Sequence, residues 1–458
     1  MWRRGRLCGL SLSRPLCVWC MLLLGGVAPA PRQTASHDLR RTQTRCRSMS
    51  EETQFSVPFS ARTQAELSTR GASQVWQEVT ALARQPGIID LGQGWPDFGA
   101  DETAKAGAAA AILDGAAARN NQYSAADGVP ELKEAVAGYY NALYGWALTP
   151  QEVLVTTSAT EGLYCATQAY LDAGDEVICF EPVFPWYVAH CRLAGATVKT
   201  VRLEAPHYGV DLVAFAAAFS PKTKMVIFNS PHNPTGHVAT REEVEGIARL
   251  CCEHNVLVLA DEVYERKSFA RRETRLRELP GMAERTITLG TSSKLLSLTG
   301  WRVAWAIGPP ALLRGVSSAH SYASFCAPTP LQMGVAAALR VHAQGDRLGG
   351  EADASAAVFA RNAVALASAL RDVGLEVHPV DGGYFLVADC AATGLDAGSF
   401  CKALINTARV AAVPMDVFYV STQPPPPTTL VRFAICKRES TIDAACDAIR
   451  AHPLPLRD

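Results

Sequence analysis

Between residues 153 and 289 the chain alternates short apolar runs with segments of helical periodicity. The apolar runs predict strands at Val153–Thr156, Glu176–Phe180, Thr197–Val201, Met225–Phe228, Val256–Ala260 and Thr286–Leu289. The segments between them predict helices at Glu161–Leu171, Pro185–Leu193, Asp211–Phe219 and Arg241–His254. Strands that alternate with helices in this way are typical of a mostly parallel, doubly wound sheet with helices on both faces. The fold class predicted for this region is therefore α/β.

The pattern is different on either side of this region. Before it, the chain predicts a short strand at Ile88–Leu91 and helices at Ser68–Arg84, Thr103–Leu113 and Glu131–Leu143. After Pro330, it predicts helices at Leu331–Val341, Ala354–Val373, Ser399–Thr407 and Thr441–His452, and strands near Leu375–Val377, Tyr384–Ala388 and Leu430–Ile435. This second pattern predicts a separate, smaller α+β domain. We expect a leader at 1–50, an N-terminal arm with part of the small domain at 51–99, a large domain at 100–335 and a small C-terminal domain at 336–458.

The first fifty residues have the composition of a targeting segment. Four arginines precede an uncharged run, Leu16–Ala30, that ends in Ala-Pro-Ala, which is the order of a secretory signal. The run is shorter than the roughly 20 apolar residues of a membrane span, so a cleaved signal is favoured over an anchor. Arg32–Ser50 then has transit-peptide composition. We expect a cleavable, disordered leader that directs the protein to a plastid or mitochondrion; translation from Met49 would instead give a cytoplasmic protein.

The overall composition is that of a soluble globular protein, with 48% hydrophobic and 19% charged residues. A net charge of −1, with no basic stripe beyond the leader, argues against a nucleic-acid partner. The 14 cysteines show neither zinc spacing nor a compact disulfide framework. We therefore expect buried thiols in a reducing compartment, no metal, and no stable membrane association of the mature protein.

The stretch Thr286–Trp305 carries the first candidate for chemistry. Lys294 follows two serines just after the apolar run Ile287–Leu289, which places a primary amine at a strand end. Active sites of open α/β sheets lie at that position. Arg302 adds a planar cation that suits phosphate or carboxylate. Because most lysines simply lie on the surface, the interpretation depends on what the other strand ends supply.

Small residues and aromatic rings follow two of the other predicted strands. Thr157–Gly162 opens a helix with small and hydroxyl side chains, and the free amides of a helix N-terminus bind anions such as phosphate. Glu181–Tyr187 brings three aromatic rings to a strand end, where a flat ligand could stack. An ordinary helix cap and a cluster of core rings are the alternatives.

Polar groups follow two further strands. Asn229–Gly236 contains two prolines that hold the Asn233 amide in one direction. Asp261 comes directly after an apolar strand, where a carboxylate is costly to bury unless it meets a cation. Tyr264 offers a phenol three residues later. A structural turn and an Asp that caps the next helix are the alternatives.

Together these segments supply an amine, an anion cradle with an arginine, a stacking ring, a buried carboxylate, an amide and a phenol. Pyridoxal 5'-phosphate uses all of them, because it forms a Schiff base with a lysine and needs partners for its phosphate, ring face, pyridine nitrogen and phenolic oxygen. The strand ends therefore predict a site for pyridoxal 5'-phosphate.

From about Phe55 to its C-terminus, the chain resembles the class I (fold type I) pyridoxal-phosphate aminotransferases, and within them the kynurenine aminotransferase and cysteine-conjugate β-lyase group. The resemblance is carried by eight motifs in family order: LGQGWPDF, NQYSAADGVPELKEAV, FEPVFPWY, NSPHNPTG, ADEVY, SSKLLSLTGWRVAW, GGYFLVAD and VRFAICK. It implies a large domain that binds the cofactor, a smaller α+β domain, and a homodimer.

The resemblance also implies a role for each matching residue. The catalytic set is Lys294 as the Schiff-base lysine, Asp261 on the pyridine nitrogen and Tyr264 on the ring oxygen. The remaining cofactor contacts would be Asn233 on the ring oxygen, Phe184 stacked on the ring, Ala159, Thr160, Thr291 and Arg302 around the phosphate, and Tyr123 from the partner subunit. The substrate contacts would be Gly94, Trp95, Asn229 and Arg432, with Arg432 on the α-carboxylate.

The sequence departs from the group near the expected substrate side chain. Trp95 stands where Phe is usual, Val183–Trp186 replaces an acidic-aromatic run, and Thr291 replaces a common Ser. The rings of Trp95, Trp186 and Tyr187 favour an apolar or aromatic amino acid, with glutamine, methionine and kynurenine as candidates.

The implied activity is transfer of an amino group from such an L-amino acid to a 2-oxo acid. A cysteine-conjugate β-lyase shares every cofactor contact and is the alternative. A regulatory protein that binds the cofactor without catalysis is disfavoured, because Lys294, Asp261 and Arg432 are all present.

Overall fold

The structure is a computed structural model that describes residues 57–68, 78, 81–115, 118–345 and 351–453. The predicted leader, 1–50, and most of the helix predicted over Ser68–Arg84 lie outside these ranges. Contacts divide the chain into two units, Met1–Pro58 and Phe59–Asp458, and every element below belongs to the second. None of the helices in the described ranges is long and apolar enough to cross a membrane.

Strands occupy both the central and the C-terminal parts of the described chain. Their bounds are β1 (Ile89–Asp90), β2 (Val153–Thr156), β3 (Glu176–Glu181), β4 (Thr197–Arg202), β5 (Thr223–Asn229), β6 (Leu257–Asp261), β7 (Thr286–Thr291), β8 (Ala304–Ile307), β9 (Glu376–Val377), β10 (Phe385–Asp389), β11 (Val410–Ala411), β12 (Val413–Pro414) and β13 (Leu430–Ala434). Every strand that the sequence predicts is present, with each end within about two residues of its expected place, the usual uncertainty of such bounds.

Helices connect and flank these strands. Their bounds are α1 (Ala61–Ser68), α2 (Glu102–Leu113), α3 (Pro130–Tyr144), α4 (Ala159–Tyr170), α5 (Pro185–Leu193), α6 (Leu212–Ala218), α7 (Arg241–Glu253), α8 (Ser292–Leu295), α9 (Pro310–Ala323), α10 (Thr329–Gly345), α11 (Glu351–Asp372), α12 (Ala397–Ala408) and α13 (Glu439–Ala451).

The largest sheet has seven strands in the order β2-β8-β7-β6-β5-β3-β4. Neighbours from β7 through β4 pair in parallel, whereas β8 runs antiparallel to both β2 and β7. Successive β2 side chains enter different cores, because Val155 packs in one cluster with Tyr140 and Leu154 in another with Leu163. The predicted α/β fold class with a mostly parallel, two-sided sheet is thus confirmed.

A second, antiparallel sheet has the order β12-β13-β10-β9, and β1 pairs in parallel with β11. The helices α11, α12 and α13 pack against this part of the chain around one apolar cluster that includes Phe359, Phe400 and Ile442. This is the α+β arrangement that the C-terminal pattern predicts. The domain bounds at residues 99/100 and 335/336 stay predictions.

Local sequence signals account for several helix ends. The side chain of Asp101 accepts a hydrogen bond of 2.7 Å from the Ala104 amide and caps α2. Pro130 stands at the start of α3, and Gly145 ends it in the left-handed conformation with φ 69°. Each device satisfies backbone groups that a helix end would otherwise leave without partners.

The ends of the central strands bring the candidate site residues together. Asn229 and Asp261 are paired across β5 and β6, and Asp261 is paired with Leu289 across β6 and β7. Beyond Thr291, the chain turns directly into the one-turn helix α8, which carries Lys294. The sequence-predicted groups therefore converge because parallel strands end at one edge of the sheet.

Candidate active site

A cavity of about 270 Å³ opens at this edge of the sheet. Its lining includes eleven of the predicted site residues: Gly94, Ala159, Thr160, Phe184, Asn233, Asp261, Tyr264, Thr291, Lys294, Arg302 and Arg432. The six kinds of group that the sequence places on separate strand ends thus line a single space. A larger cavity of about 630 Å³ lies beside Trp95 and Lys437, and among the described residues it shares no lining side chain with the first.

Lys294 presents a buried amine to this cavity. Its Nζ donates a hydrogen bond of 2.6 Å to the Gly94 carbonyl. Burial, opposed by Cys436 and helped by the charges of Arg432 and Arg302, lowers the pKa of the Lys294 ammonium to about 8, so that a substantial fraction is the neutral amine near that pH. A neutral amine is the nucleophile that attacks an aldehyde, so the environment activates Lys294 for covalent chemistry.

Asp261 is buried at the end of β6. The Tyr187 hydroxyl donates to its Oδ2 at 2.5 Å, and the Val263 amide donates to Oδ1 at 3.3 Å. Burial raises the pKa of the Asp261 carboxyl, while these hydrogen bonds and the charge of Lys294 oppose the rise. A cationic ring nitrogen beside the carboxylate would stabilise its ionised form. The buried carboxyl, which accepts these two hydrogen bonds, therefore suits a pyridinium as its partner.

A chain of hydrogen bonds fixes Asn233 and Arg432 relative to Asp261. The side-chain amide of Asn229 donates from Nδ2 to the backbone carbonyl of Asp261 at 2.8 Å. Its Oδ1 accepts from the backbone amide of Asn233, also at 2.8 Å. Arg432 donates from Nη1 to Asn233 Oδ1 and from Nη2 to the Gly92 carbonyl, both at 2.9 Å. Asn229 does not line the cavity among the described residues, and its place is behind Asn233.

The guanidinium of Arg432 lies between two aromatic rings. Its centre is 3.8 Å from the Phe385 ring and 4.9 Å from the Phe418 ring, and the residue is 1% exposed. Burial lowers the pKa of Arg432 to about 9, which still leaves the group charged at neutral pH. A flat cation held in this way suits bidentate binding of a carboxylate.

An anion cradle forms where α4 begins. Ser158 caps this helix by accepting from the Glu161 amide at 3.2 Å, and Ala159 and Thr160 form its first turn. Thr291 and Arg302, from the segment that carries Lys294, line the same cavity. Helix amides, hydroxyls and an arginine together fit a phosphate group.

One orphaned polar atom lies beside this cradle. Ser293 Oγ is buried and has no hydrogen-bond partner in the described part of the chain. A buried hydroxyl without a hydrogen-bond partner costs free energy of folding. The unpaired Ser293 Oγ therefore indicates a site that receives a polar ligand. The residues present therefore fit pyridoxal 5'-phosphate at both of its polar ends.

Aromatic rings border the cavity. Phe184 stacks on Trp186, with ring centres 4.8 Å apart and planes at 16°, and meets Tyr187 edge-on at 5.5 Å. Tyr264 is buried, and its ring centre lies 5.8 Å from Lys294 Nζ. The placement agrees with a ring partner at Phe184 and a phenol at Tyr264.

Three neighbours of the site make contacts that the sequence does not predict. Tyr187 binds Asp261, Tyr384 donates from its hydroxyl to the Lys294 carbonyl at 2.9 Å, and Phe385 stacks on Arg432. The motifs FEPVFPWY and GGYFLVAD contain all three, so the signal was present. The contact each one makes depends on tertiary packing, which the motif alone does not reveal.

Besides Asn229, two predicted residues lie outside the cavity lining in the described chain. Trp95 is 40% exposed, its carbonyl accepts from Lys437 Nζ at 3.0 Å, and its ring centre lies 4.0 Å from the same Nζ. Tyr123 is 84% exposed and meets Phe325 edge-on at 5.4 Å. Their predicted roles toward substrate and toward a neighbouring subunit stay predictions.

A two-sided, mostly parallel sheet with Asp261 and Lys294 at its strand ends, and a buried arginine on β13 of the second sheet that lines the same cavity, defines a pyridoxal-phosphate enzyme of fold type I. Residues 86–449 match the family model "Aminotransferase class I and II". The chain belongs to this family. It is a transaminase, and its cofactor is pyridoxal 5'-phosphate.

Individual relatives cover nearly the same length. The chain is 34% identical to the methionine aminotransferase of Escherichia coli K12, over 82% of this chain and 95% of the relative. It is 34% identical to kynurenine–oxoglutarate transaminase 3 of Mus musculus, over 83% and 88% of the two chains. The solved N-succinyldiaminopimelate aminotransferase of Mycobacterium tuberculosis superposes with a TM-score of 0.79 at 35% identity, covering 86% of this chain and 100% of that one.

Proposed function

We propose that this aminotransferase moves the amino group of an apolar, aromatic, glutamine or kynurenine-like L-amino acid to a 2-oxo acid, with the cofactor bonded to Lys294. The observation that carries the proposal is the shared cavity of Lys294, Asp261 and Arg432. An amine with a pKa of about 8, a buried carboxylate and a buried guanidinium are the groups that this transfer requires.

The bound cofactor supplies an electron sink for the electrons of a broken Cα–H bond. Asp261 would hold the ring nitrogen of the cofactor, where an ionised carboxylate would stabilise a proton on that nitrogen. Arg432 binds the substrate α-carboxylate and fixes the orientation of the α-carbon. Lys294 Nζ, as a neutral amine in the same cavity, would take the proton from the substrate α-carbon and hold it for return. Fixed orientation favours this proton transfer over loss of the carboxylate.

Support for the substrate class comes from the apolar border of the site. Phe184, Trp186 and Phe385 all line the cavity, and Trp95 lies next to Gly94 at its edge. Large rings favour substrates with apolar or aromatic side chains. The methionine and kynurenine relatives carry such substrates in their names, which agrees with this choice.

We also propose that the protein is a homodimer in which Tyr123 contacts the cofactor phosphate of the partner subunit. Tyr123, Tyr322 and Leu113 expose 84%, 92% and 81% of their surface in the isolated chain. Exposed large apolar groups favour a protein interface. Sedimentation analysis should give a dimer, and a monomer that is fully active would exclude the arrangement.

The leader at 1–50 is proposed to direct the protein to a plastid or mitochondrion, on the strength of its basic, apolar and Ser/Thr-rich composition. A fusion of residues 1–50 to a fluorescent protein tests this. Diffuse cytoplasmic fluorescence would favour translation from Met49.

The function is tested with a panel of amino donors and 2-oxo acids, using protein that begins at Met49. We expect amino transfer with aromatic, methionine, glutamine or kynurenine donors, and almost none without an added oxo acid. Release of pyruvate and ammonia from a cysteine conjugate without an oxo acid, faster than any amino transfer, would establish the β-lyase instead.

A further inference from the structure

A buried ion pair lies just outside the cavity, between α4 and α9. Glu161, in the first turn of α4, meets His320 of α9, with Oε1 and Nδ1 2.6 Å apart. The other ring nitrogen, Nε2, lies 2.9 Å from the carbonyl of Ala126. Neither residue lines the cavity among the described residues.

The contacts fix the charges of both groups. A carbonyl oxygen only accepts hydrogen bonds, so Nε2 of His320 must carry a proton. Glu161 accepts from the Thr157 amide at 3.0 Å, from Cys165 at 3.2 Å and from Ser324 at 3.1 Å, which suits an ionised carboxylate. Nδ1, which also lies 3.1 Å from Ser324 Oγ, then faces an ionised carboxylate, and a proton on Nδ1 completes the pair as imidazolium and carboxylate.

The pKa of Glu161 agrees with this assignment. Burial raises it, but the hydrogen bonds from His320, Cys165 and Ser324 and the charge of His320 bring it below its ordinary value. The carboxylate, the Cys165 thiol and a His320 nitrogen lie within 4.8 Å of one another, close enough to hold a metal ion. Each donor atom already has a hydrogen-bond partner, however, so the cluster is complete without an ion.

The pair joins two segments that border the phosphate end of the site. On one side, Glu161 binds the Thr157 amide through its carboxylate and the Ser158 hydroxyl through its own amide, and so brackets Ala159 and Thr160. On the other side, His320 holds Ala126, three residues from Tyr123. The same loop is held by Thr329, whose hydroxyl donates to the Gln122 carbonyl at 2.6 Å. One ion pair thus fixes both the cradle and the loop.

The charge of Glu161 has a second consequence. A carboxylate in the first turn of a helix stabilises that helix, but it repels a phosphate bound at the same N-terminus. His320 neutralises it. Without the imidazolium, the cradle would carry an uncompensated negative charge next to a doubly charged phosphate, in surroundings of low dielectric where repulsion is strong.

We propose that His320 and Glu161 are a positioning pair that sets the affinity for the cofactor phosphate: Glu161 shapes the cradle, and His320 cancels its charge. The inference rests on the proposed placement of the phosphate at Ala159 and Thr160. It predicts opposite effects for two conservative substitutions, whereas a pair that only supports the fold would lose affinity with either one.

The test is equilibrium titration of the full-chain apoprotein with pyridoxal 5'-phosphate and, separately, with pyridoxal, which lacks the phosphate. His320→Gln should weaken binding of pyridoxal 5'-phosphate by about tenfold or more, which corresponds to ~1.4 kcal/mol, and should change binding of pyridoxal by less than about twofold. Glu161→Gln should retain or increase the affinity for the phosphorylated ligand, and adding Glu161→Gln to His320→Gln should restore most of the loss.

His378→Gln is the matched control, because His378 is also buried and hydrogen-bonded, to the Tyr208 hydroxyl at 2.8 Å, but does not line the cavity. Equal losses for both ligands in His320→Gln, or losses in both single variants, would overturn the proposal. If His320→Gln fails to fold, the sign of the Glu161→Gln effect decides. A parent protein that does not bind pyridoxal 5'-phosphate at all would refute the proposed function itself.

Discussion

The hydroxyl of Tyr187 donates a hydrogen bond of 2.5 Å to Oδ2 of Asp261. The two residues lie 74 positions apart, and Tyr187 comes from the helix that follows the Phe184 loop. Both side chains are buried. One hydrogen bond thereby connects an aromatic residue that lines the cavity with the carboxylate proposed as the partner of the cofactor nitrogen, and fixes the direction in which that carboxylate points.

Tyr187→Phe removes this hydrogen bond without removing the ring. Because a hydrogen bond to a charged group contributes about 1.5–3 kcal/mol, we expect kcat to fall roughly tenfold to a hundredfold. Loss of the donor also raises the pKa of Asp261, so the acidic limb of the kcat profile should move to higher pH. Tyr170→Phe, which loses a 2.6 Å bond to the Leu312 carbonyl outside the site, is the control. An unshifted profile would show that another group orients Asp261.

Lys294→Ala should abolish the visible absorbance of the lysine-bound cofactor and reduce turnover by about a thousandfold or more, because it removes both the attacking amine and the proton carrier. Spectra and steady-state rates of the purified variant measure both effects. Lys199→Ala, which removes an amine paired with Glu176 at 2.7 Å on the outer strand β4, should leave them unchanged. Full activity of Lys294→Ala would refute the assignment.

The pKa of about 8 for Lys294 predicts the pH dependence of cofactor loading. Only the neutral amine attacks the aldehyde, so the rate constant for loading the apoprotein should rise about tenfold per pH unit below pH 8. Above the pKa it should level off. A stopped-flow series from pH 6 to 10 measures this. Nα-acetyl-lysine, whose ordinary pKa is near 10.4, is the reference, and a protein curve that kept rising with it would contradict an activated lysine.

The sequence predicts the central strands and most of the site because buried parallel strands read as apolar runs, and the polar residues that follow them stand out. Asp261 and Lys294 were found in this way. The strand β8 was not predicted, because the pattern of strands separated by full helices leads to parallel neighbours, whereas Val303–Ile307 follow β7 after only the one-turn helix α8 and enter the sheet antiparallel. The contacts of Tyr187 and Tyr384 could not be predicted from the sequence either, since each depends on which distant segment packs beside the ring.

Arg432→Gln should raise KM for the amino donor by about a hundredfold, because truncating one partner of a buried charged pair costs about 2–5 kcal/mol. The cofactor should still bond to Lys294, since Arg432 makes its hydrogen bonds to Asn233 and Gly92, while loss of the Arg432 charge should raise the pKa of Lys294. Steady-state kinetics with the best donor measure the effect. Arg361→Gln removes an exposed arginine paired with Glu439 and serves as the control. An unchanged KM would place the substrate carboxylate elsewhere.

Trp95→Leu tests the predicted substrate preference. The Trp95 ring covers the ammonium of Lys437 at 4.0 Å and remains 40% exposed, and its neighbour Gly94 lines the Lys294 cavity, which is the basis for its predicted contact with a substrate side chain. Aromatic contacts contribute about 0.5–1.5 kcal/mol beyond burial, and we therefore expect kcat/KM to fall about tenfold for kynurenine or phenylalanine. Alanine, whose side chain is too short to reach the ring, is the internal control and should change by less than about threefold. A uniform loss for all donors would mean that Trp95 supports the Gly94 loop rather than selecting the substrate.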